Sequence, residues 1–320
     1  MARRSAWFTA GAGALAMLAV SAPALAGTAN RAWVSGHGTD ASGCGAPTAP
    51  CRSFQYVHDN IVAAGGEIDV LDGAGYGAVT ITKALSIVAA GAIAAVQQPT
   101  SGQNGITINV GASDAVHLRG LTLEGLGIAN DGIIFNSGAS LDVVGCVVRH
   151  FVNAGINDLS STAGSRMSIS DTLASDNGNG ILVVPRASGQ AALSGVIANH
   201  NGVAGVDVEP LLPVVAQVTA VDSEASGNAF GFVATAGGAM EIASLSLRNV
   251  TASNNTLDGL LTEQLGGGTA QLTIGQSLVA GNATGADHAT HGGTISSYGD
   301  NEFNDNGANV NGALTPISGM

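Results

Sequence analysis

A glycine followed by an aliphatic residue or Phe returns again and again through the middle of this 320-residue chain: Gly105-Ile106, Gly132-Ile133, Gly155-Ile156, Gly180-Ile181, Gly205-Val206, Gly231-Phe232 and Gly259-Leu260. Asparagines keep the same rhythm a few residues ahead, at Asn177, Asn201, Asn228, Asn255 and Asn282. The steps are 23 to 28 residues, the size of one supersecondary unit rather than of a domain. After the glycines, apolar residues fall two apart, as in Ile133 and Phe135, Ile181 and Val183, or Val206 and Val208. Polar residues such as Asn136, Asp207 and Glu209 fall at intervening positions. That is the period of a strand with one face turned inward. A repeat holding two or three such strands cannot bury its inner face alone. Stacked coils do so, with each strand bonded to its copy one coil away at roughly 4.8 Å.

The fold class expected is therefore all-β, a right-handed parallel β-helix. In this reading the marked glycines supply φ > 0 at a corner, and the asparagines tolerate the same corner while stacking into an amide ladder. Composition agrees. With only 10 % charged and 4 % aromatic residues but 45 % hydrophobic ones and 47 glycines, short strands and tight corners fit better than a large aromatic core or disorder. A leucine-rich solenoid needs a leucine framework and helical returns, which these Gly-rich polar stretches do not favour. A calcium-binding nonapeptide roll needs tandem G-G-x-G-x-D units, and none occurs.

The ends divide the chain further. Residues 1–26 read as a signal peptide: Arg3 and Arg4, an apolar run from Ala6 to Val20, then Ala24-Leu25-Ala26 for cleavage. Export to the periplasm or beyond follows, with no membrane span left after cleavage. Residues 27–84 form an N-terminal cap with the first strands. An amphipathic capping helix over residues 52–64 carries Phe54, Val57 and Ile61 on one face and stops at Gly65-Gly66. The coils occupy 85–296, and 297–320 form a C-terminal cap. In an exported chain, Cys44 and Cys51 are expected to form a small-loop disulfide, and Cys146, in an apolar run, a buried free thiol.

Cleavage removes two cations and no acid, leaving a formal charge of −15 and a single lysine, Lys83. Nucleic acid is excluded as a partner, and so is an anionic lipid surface, because both require clustered cations. A polyanion is disfavoured unless calcium bridges it.

The string Trp33-Val34-Ser35-Gly36, the loop ending Ala49-Pro50-Cys51-Arg52-Ser53-Phe54, the segments Gly66–Leu71 and Tyr76–Ile81, and the tail Ser297-Tyr298-Gly299-Asp300-Asn301 resemble bacterial exported right-handed parallel β-helix repeat-containing proteins of the pectate-lyase-like superfamily. The resemblance spans essentially the whole mature chain. It implies the fold and export. It implies little chemistry, since the superfamily holds lyases, hydrolases, epimerases, adhesins and tailspikes.

The hallmark residues of two enzyme classes are missing. The scattered Arg119, Arg149, Arg166, Arg186 and Arg248 form no Arg-x-Pro-x-x-Arg pattern. Gly36-His37-Gly38 lies before the coils, and no Arg-x-Lys accompanies it. Asp207 and Glu209, two apart on one strand, are the leading candidates for paired acid/base work on a glycosidic bond, with Arg186 one coil earlier as the basic partner. No third acid stacks in the adjoining coils, where Leu182, Val184, Val233 and Thr235 stand. Asp222 and Glu224 repeat the pattern. Glu124 and Arg149, one coil apart, suit a structural ion pair. Asp287-His288-x-x-His291 and the oxygens of Asp300, Asn304, Asp305 and Asn306 read as polar loops, so no metal site and no cofactor are expected. Few aromatics are left to line a groove. The reading that follows is an exported β-helix scaffold that binds a surface or a glycan without catalysis, with polysaccharide as the partner class. The alternative is a carbohydrate-active enzyme, a polysaccharide lyase or glycoside hydrolase. A groove with three or more stacked polar side chains on one sheet discriminates between them.

Overall fold

The computed structural model describes residues 27–317, and the segment read as a signal peptide lies outside them. The chain is a parallel β-helix. Each coil contributes one strand to a 12-stranded first sheet, a short one to a third sheet, and one to a 10-stranded second sheet. One full coil runs through the strands Ser140–Val144, Val147–Arg149 and Ala154–Asp158, and the next through Arg166–Ser170, Leu173–Ser175 and Asn179–Val183. The third sheet narrows to single bridges, Leu173 to Ile197 to Glu224 to Thr251, before widening again. Among the described residues no helix is long and apolar enough to cross a membrane.

The core is a set of columns. Ile156, Ile181, Val206, Phe232 and Leu260 register one upon another in the second sheet, as their place after the marked glycines requires. All are essentially inaccessible to solvent.

The glycines serve a different end from the one expected. None of the seven has a positive φ. A Cβ on Gly180 would lie 2.6 Å from the Gly205 carbonyl oxygen and 2.9 Å from Nδ2 of Asn201; Gly155 is crowded in the same way by Gly180 and Asn177, and Gly259 by Gly285 and Asn282. From Gly155 onward the column is glycine because the asparagines press against it, whereas Gly105 and Gly132 are crowded by the next glycine's carbonyl and by apolar side chains. Positive φ falls instead on the residue before each asparagine, at Asp176, His200, Gly227, Asn254 and Gly281. The ladder itself is continuous. The backbone N–H of Asn201 donates to Oδ1 of Asn228 (2.7 Å), and its Nδ2 donates to the same oxygen (3.1 Å) and back to the Ala174 carbonyl (3.1 Å). Asn177, Asn228, Asn255 and Asn282 repeat this, and Asn306 adds a rung.

At the N-terminal end the helix α1 (Phe54–Asn60) starts at Ser53, whose side chain accepts from the Tyr56 N–H. Phe54 and Val57 are buried. The helix is shorter than expected: the chain enters a strand at Val62 that runs through Gly65-Gly66 to Val70, because pairing with the strand Ala29–Val34 claims that backbone. Cys44 and Cys51 are bonded, and Cys146 is a buried free thiol that burial pushes up to about 11. The tail does not stop the coil at 297. Strands Glu302–Asn304, Ala308–Asn311 and Thr315–Pro316 continue all three sheets.

Replacing Val206 by Asp places an unpaired charge in the column and is expected to cost on the order of 5 kcal/mol. Asn228→Ala strands the Asn201 N–H and the Ala198 carbonyl, for about 2–6 kcal/mol. Both are read as losses of denaturation midpoint. An unchanged midpoint in either variant contradicts the register.

Candidate functional site

The outward faces of the two large sheets differ. On the second sheet the outward column reads Ile134, Asn157, Leu182, Asp207, Val233, Leu261 and Asp287. Most of it is apolar and buried. Asp207 and Glu209 stand on this face. Asp207 is half-buried as a residue, but its Oδ1 is sealed from solvent and has no hydrogen-bond partner. Burial, then the charges of Glu209 and Glu263, push its carboxyl up to about 7. Glu209 is raised for similar reasons, by burial and by Glu263 and Glu241. A third acid is thus present. Glu263 belongs to the column of Glu209 but two coils on, beyond Thr235, where a search of adjoining coils does not reach.

Arg186 does not complete this group. The chain turns its corner at the buried Pro185, and Arg186 lies beyond it, exposed and without an ion pair to either carboxylate. Nothing among the described residues offsets the negative field of the cluster, and no group of three or more His, Cys, Asp or Glu side chains there is arranged to hold a metal ion.

The remaining candidates are structural in their contacts. Glu124 takes Arg149 at 3.1 Å and His150 at 2.8 Å. Asp222 accepts from Asn249, and Glu224 from Asn199, on separate corners. Asp287 lies 3.8 Å from His291 and accepts from Thr290 and Asn311. Asp300 caps Gln276, and Gly36 and His37 bind Asp72 in the cap.

The first sheet carries the groove. Its outward positions form parallel polar columns. One runs Ser140, Arg166, Gln190, Gln217, Ser244, Gln271; the next runs His117, Asp142, Ser168, Ala192, Thr219, Ser246, Thr273. Between Ser140 and Ser246 these columns floor a depression of about 560 Å³. Gln190 donates to Gln217 at 3.0 Å, and Gln271 to Ser244 at 3.3 Å. Nδ1 of His117 meets Asp142 at 2.7 Å at one end. Sequence reading missed these residues because no two neighbours in a column are close in sequence. The 27-residue step from Gln190 to Gln217 was the only signal.

No protein-family model matches the chain, and no curated protein does. Solved structures do. Pectate lyase Pel9A superposes with a TM-score of 0.64 at 16 % identity, over 91 % of this chain and 80 % of that one. The A-module of the Azotobacter vinelandii mannuronan C-5 epimerase AlgE4 gives 0.54 at 15 % identity, over 80 % and 91 %. The A-module of AlgE6 from the same organism gives 0.50 at 14 %, over 79 % and 89 %. The fold is the pectate-lyase-like parallel β-helix.

The acid cluster makes a prediction. A folded-state pKa raised above the unfolded value gives stability that is complete below about pH 4 and is lost as pH rises through about 7. The melting temperature is therefore expected to fall between pH 5 and pH 8, and Asp207→Asn to flatten that decline. Parallel wild-type and variant profiles over this range would remove the cause assigned here.

Proposed function

We propose that the protein binds a polysaccharide chain lengthwise in the first-sheet groove. The observation that carries the proposal is the stacking of amide and hydroxyl side chains at the coil spacing over at least five consecutive strands of one sheet. Such an array offers donors and acceptors at roughly 4.8 Å intervals along an open trough, which suits a hydroxyl-rich polymer that extends in both directions. Charge supports it. Arg31 and Arg149 are paired with carboxylates, whereas Arg119, Arg166 and Arg248 make no ion pair among the described residues and all face outward on the first sheet. Three unpaired guanidinium groups on one face of an acidic protein offer hydrogen-bond forks there for hydroxyl pairs or carboxylates. The likeness to a pectate lyase and to mannuronan epimerases supports the class of ligand and no particular sugar.

A catalytic version has one observation in its favour, and it is not the Asp207–Glu209 pair. His117, oriented by Asp142, stands on the groove face two coils before Ser168, with Arg119 two residues along its own strand and on the same outward face, the arrangement of a general base with a cation beside it.

Affinity electrophoresis through gels containing polygalacturonate, alginate, xyloglucan or xylan tests the binding. At least one polymer is expected to retard the protein, and Gln217→Ala and Thr219→Trp to reduce the retardation several-fold. No retardation in any gel, or indifference to both substitutions, rejects the groove. Release of reducing or unsaturated ends from the retarding polymer, lost in His117→Ala, would establish the catalytic version; no release in the presence or absence of calcium leaves binding alone.

A further inference from the structure

The segment Ser297–Asn301 opens the expected C-terminal cap, yet its aromatic ring does not close the end. Ser297 registers with Ile274, so the column that runs Val221, Arg248, Gly275 along the edge of the first sheet continues into Tyr298. Arg248 and Tyr298 are therefore two coils apart, roughly 10 Å along the axis, with a glycine between them. That glycine is required by space rather than by backbone, since its φ is not positive. A Cβ at Gly275 would lie 3.0 Å from Cδ2 of Tyr298 and 3.3 Å from Oδ1 of Asp300. The result is a notch of about 280 Å³ with a bare peptide floor, continuous with the main groove through Thr219 and Ser246.

The walls of the notch are fixed from below. The Tyr298 N–H and the Asn301 side chain both donate to the Ile274 carbonyl, Asn301 also donates to Oγ of Ser297, and Asp300 accepts from the Gln276 N–H, so the loop that carries Tyr298 is tied to the preceding coil on both sides of its Gly299 turn. The ring itself is half exposed, at 52 %, and no guanidinium lies over it, unlike Trp33 beneath Arg31 and Tyr76 beneath Arg52. An aromatic face held out of the core, free of a cation, beside a bare floor and opposite an unpaired arginine, is suited to a flat, weakly apolar ring that also carries polar groups at its rim.

We infer that Tyr298, Gly275 and Arg248 form a terminal sugar-stacking subsite, in which one pyranose ring of the bound chain lies with its C–H face on Tyr298. The C–H groups meet the electron-rich ring face, and the guanidinium of Arg248 reaches the hydroxyl pair or carboxylate at the sugar's other edge. This inference rests on the groove reading above and adds the end at which the chain is gripped.

The test titrates the full-length protein by affinity electrophoresis with polygalacturonate, alginate and xyloglucan, using wild type, Tyr298→Ala, Tyr298→Phe, Arg248→Ala and the mid-groove variant Gln217→Ala, with folding checked by circular dichroism. Tyr298→Ala is expected to weaken binding about three- to tenfold, and Tyr298→Phe to stay within about twofold of wild type. Loss in Arg248→Ala confined to the two uronate polymers assigns a carboxylate to that wall; equal loss on xyloglucan assigns hydroxyls. Weakening by Gln217→Ala with none by Tyr298→Ala overturns the subsite and leaves the groove standing. Equal weakening by Tyr298→Ala and Tyr298→Phe overturns stacking in favour of the phenol hydroxyl. Indifference to all the variants, or no binding by wild type, overturns both.

Discussion

From the coil of Phe151 onward, each coil of this protein is held to the next at one corner by the buried asparagine ladder. The corner bends the chain through a left-handed residue and leaves peptide groups that neither sheet can pair. Each asparagine answers two of these needs: its Oδ1 accepts the N–H of the preceding asparagine, and its Nδ2 reaches back to a carbonyl of the coil before. An unpaired buried peptide group costs about 1–3 kcal/mol, so a helix of stacked corners without the ladder would lose that at every turn. The requirement then spreads. An amide lying flat against the next strand leaves no room for a Cβ, which is why the strand opens with glycine. The 27-residue spacing of Asn201, Asn228, Asn255 and Asn282 is the length of chain that brings the same amide back over itself.

A fixed corner also fixes what faces outward. Once the second-sheet strand begins at its glycine, alternation assigns every following side chain. Counting backwards from the corner does the same for the first sheet. Registration repeats at each coil, so outward residues become columns whether or not their identities repeat. On the second sheet those columns gather Leu182, Val233 and Leu261, and Asp207 and Glu209, set among them, are desolvated and disfavoured as charges. On the first sheet they gather Gln190, Gln217, Thr219 and Ser246 in the open. Desolvated carboxylates without a cation are poorly placed to meet a polymer, while exposed neutral donors and acceptors give up little hydration to do so.

The core was legible in the sequence because it repeats in kind. Ile181, Val206 and Phe232 differ in shape but share a position after a glycine, and Asn201 and Asn228 share a chemical duty that no other side chain performs as well. The role of the glycine was misread because φ > 0 and the absence of room both select glycine, and only the neighbouring amide tells them apart. The site was much less legible. Asp207 and Glu209 draw notice because they are close in sequence, but closeness in sequence is the wrong measure in a solenoid. Glu263 is 54 residues from Glu209 and shares its column, whereas Arg186 is 21 residues from Asp207 and is carried off by the corner at Pro185. Groove residues of one column are single, ordinary Ser, Thr and Gln side chains spaced by corners of unequal length, and no local motif marks them.

Charge gives the two faces their last distinction. The chain is strongly acidic, so an arginine on its surface finds a carboxylate partner readily, as Arg31 does with Glu67 and Asp69 and Arg149 with Glu124. Past the opening pair of first-sheet strands, where Arg31 meets Glu67 and Asp69, the partners on that sheet are withheld. Arg166 is followed in its column by Gln190 and Gln217, and Arg248 by Gly275 and Tyr298. A guanidinium with neutral neighbours keeps its fork of donors for whatever lies in the groove, and it does so at either end of a run of amides and hydroxyls that would hold a ligand only weakly. In the proposed binding mode, long stretches of weak, evenly spaced contacts would let a polymer slide, and a cation at each end with one aromatic ring beyond it would give that polymer places to stop.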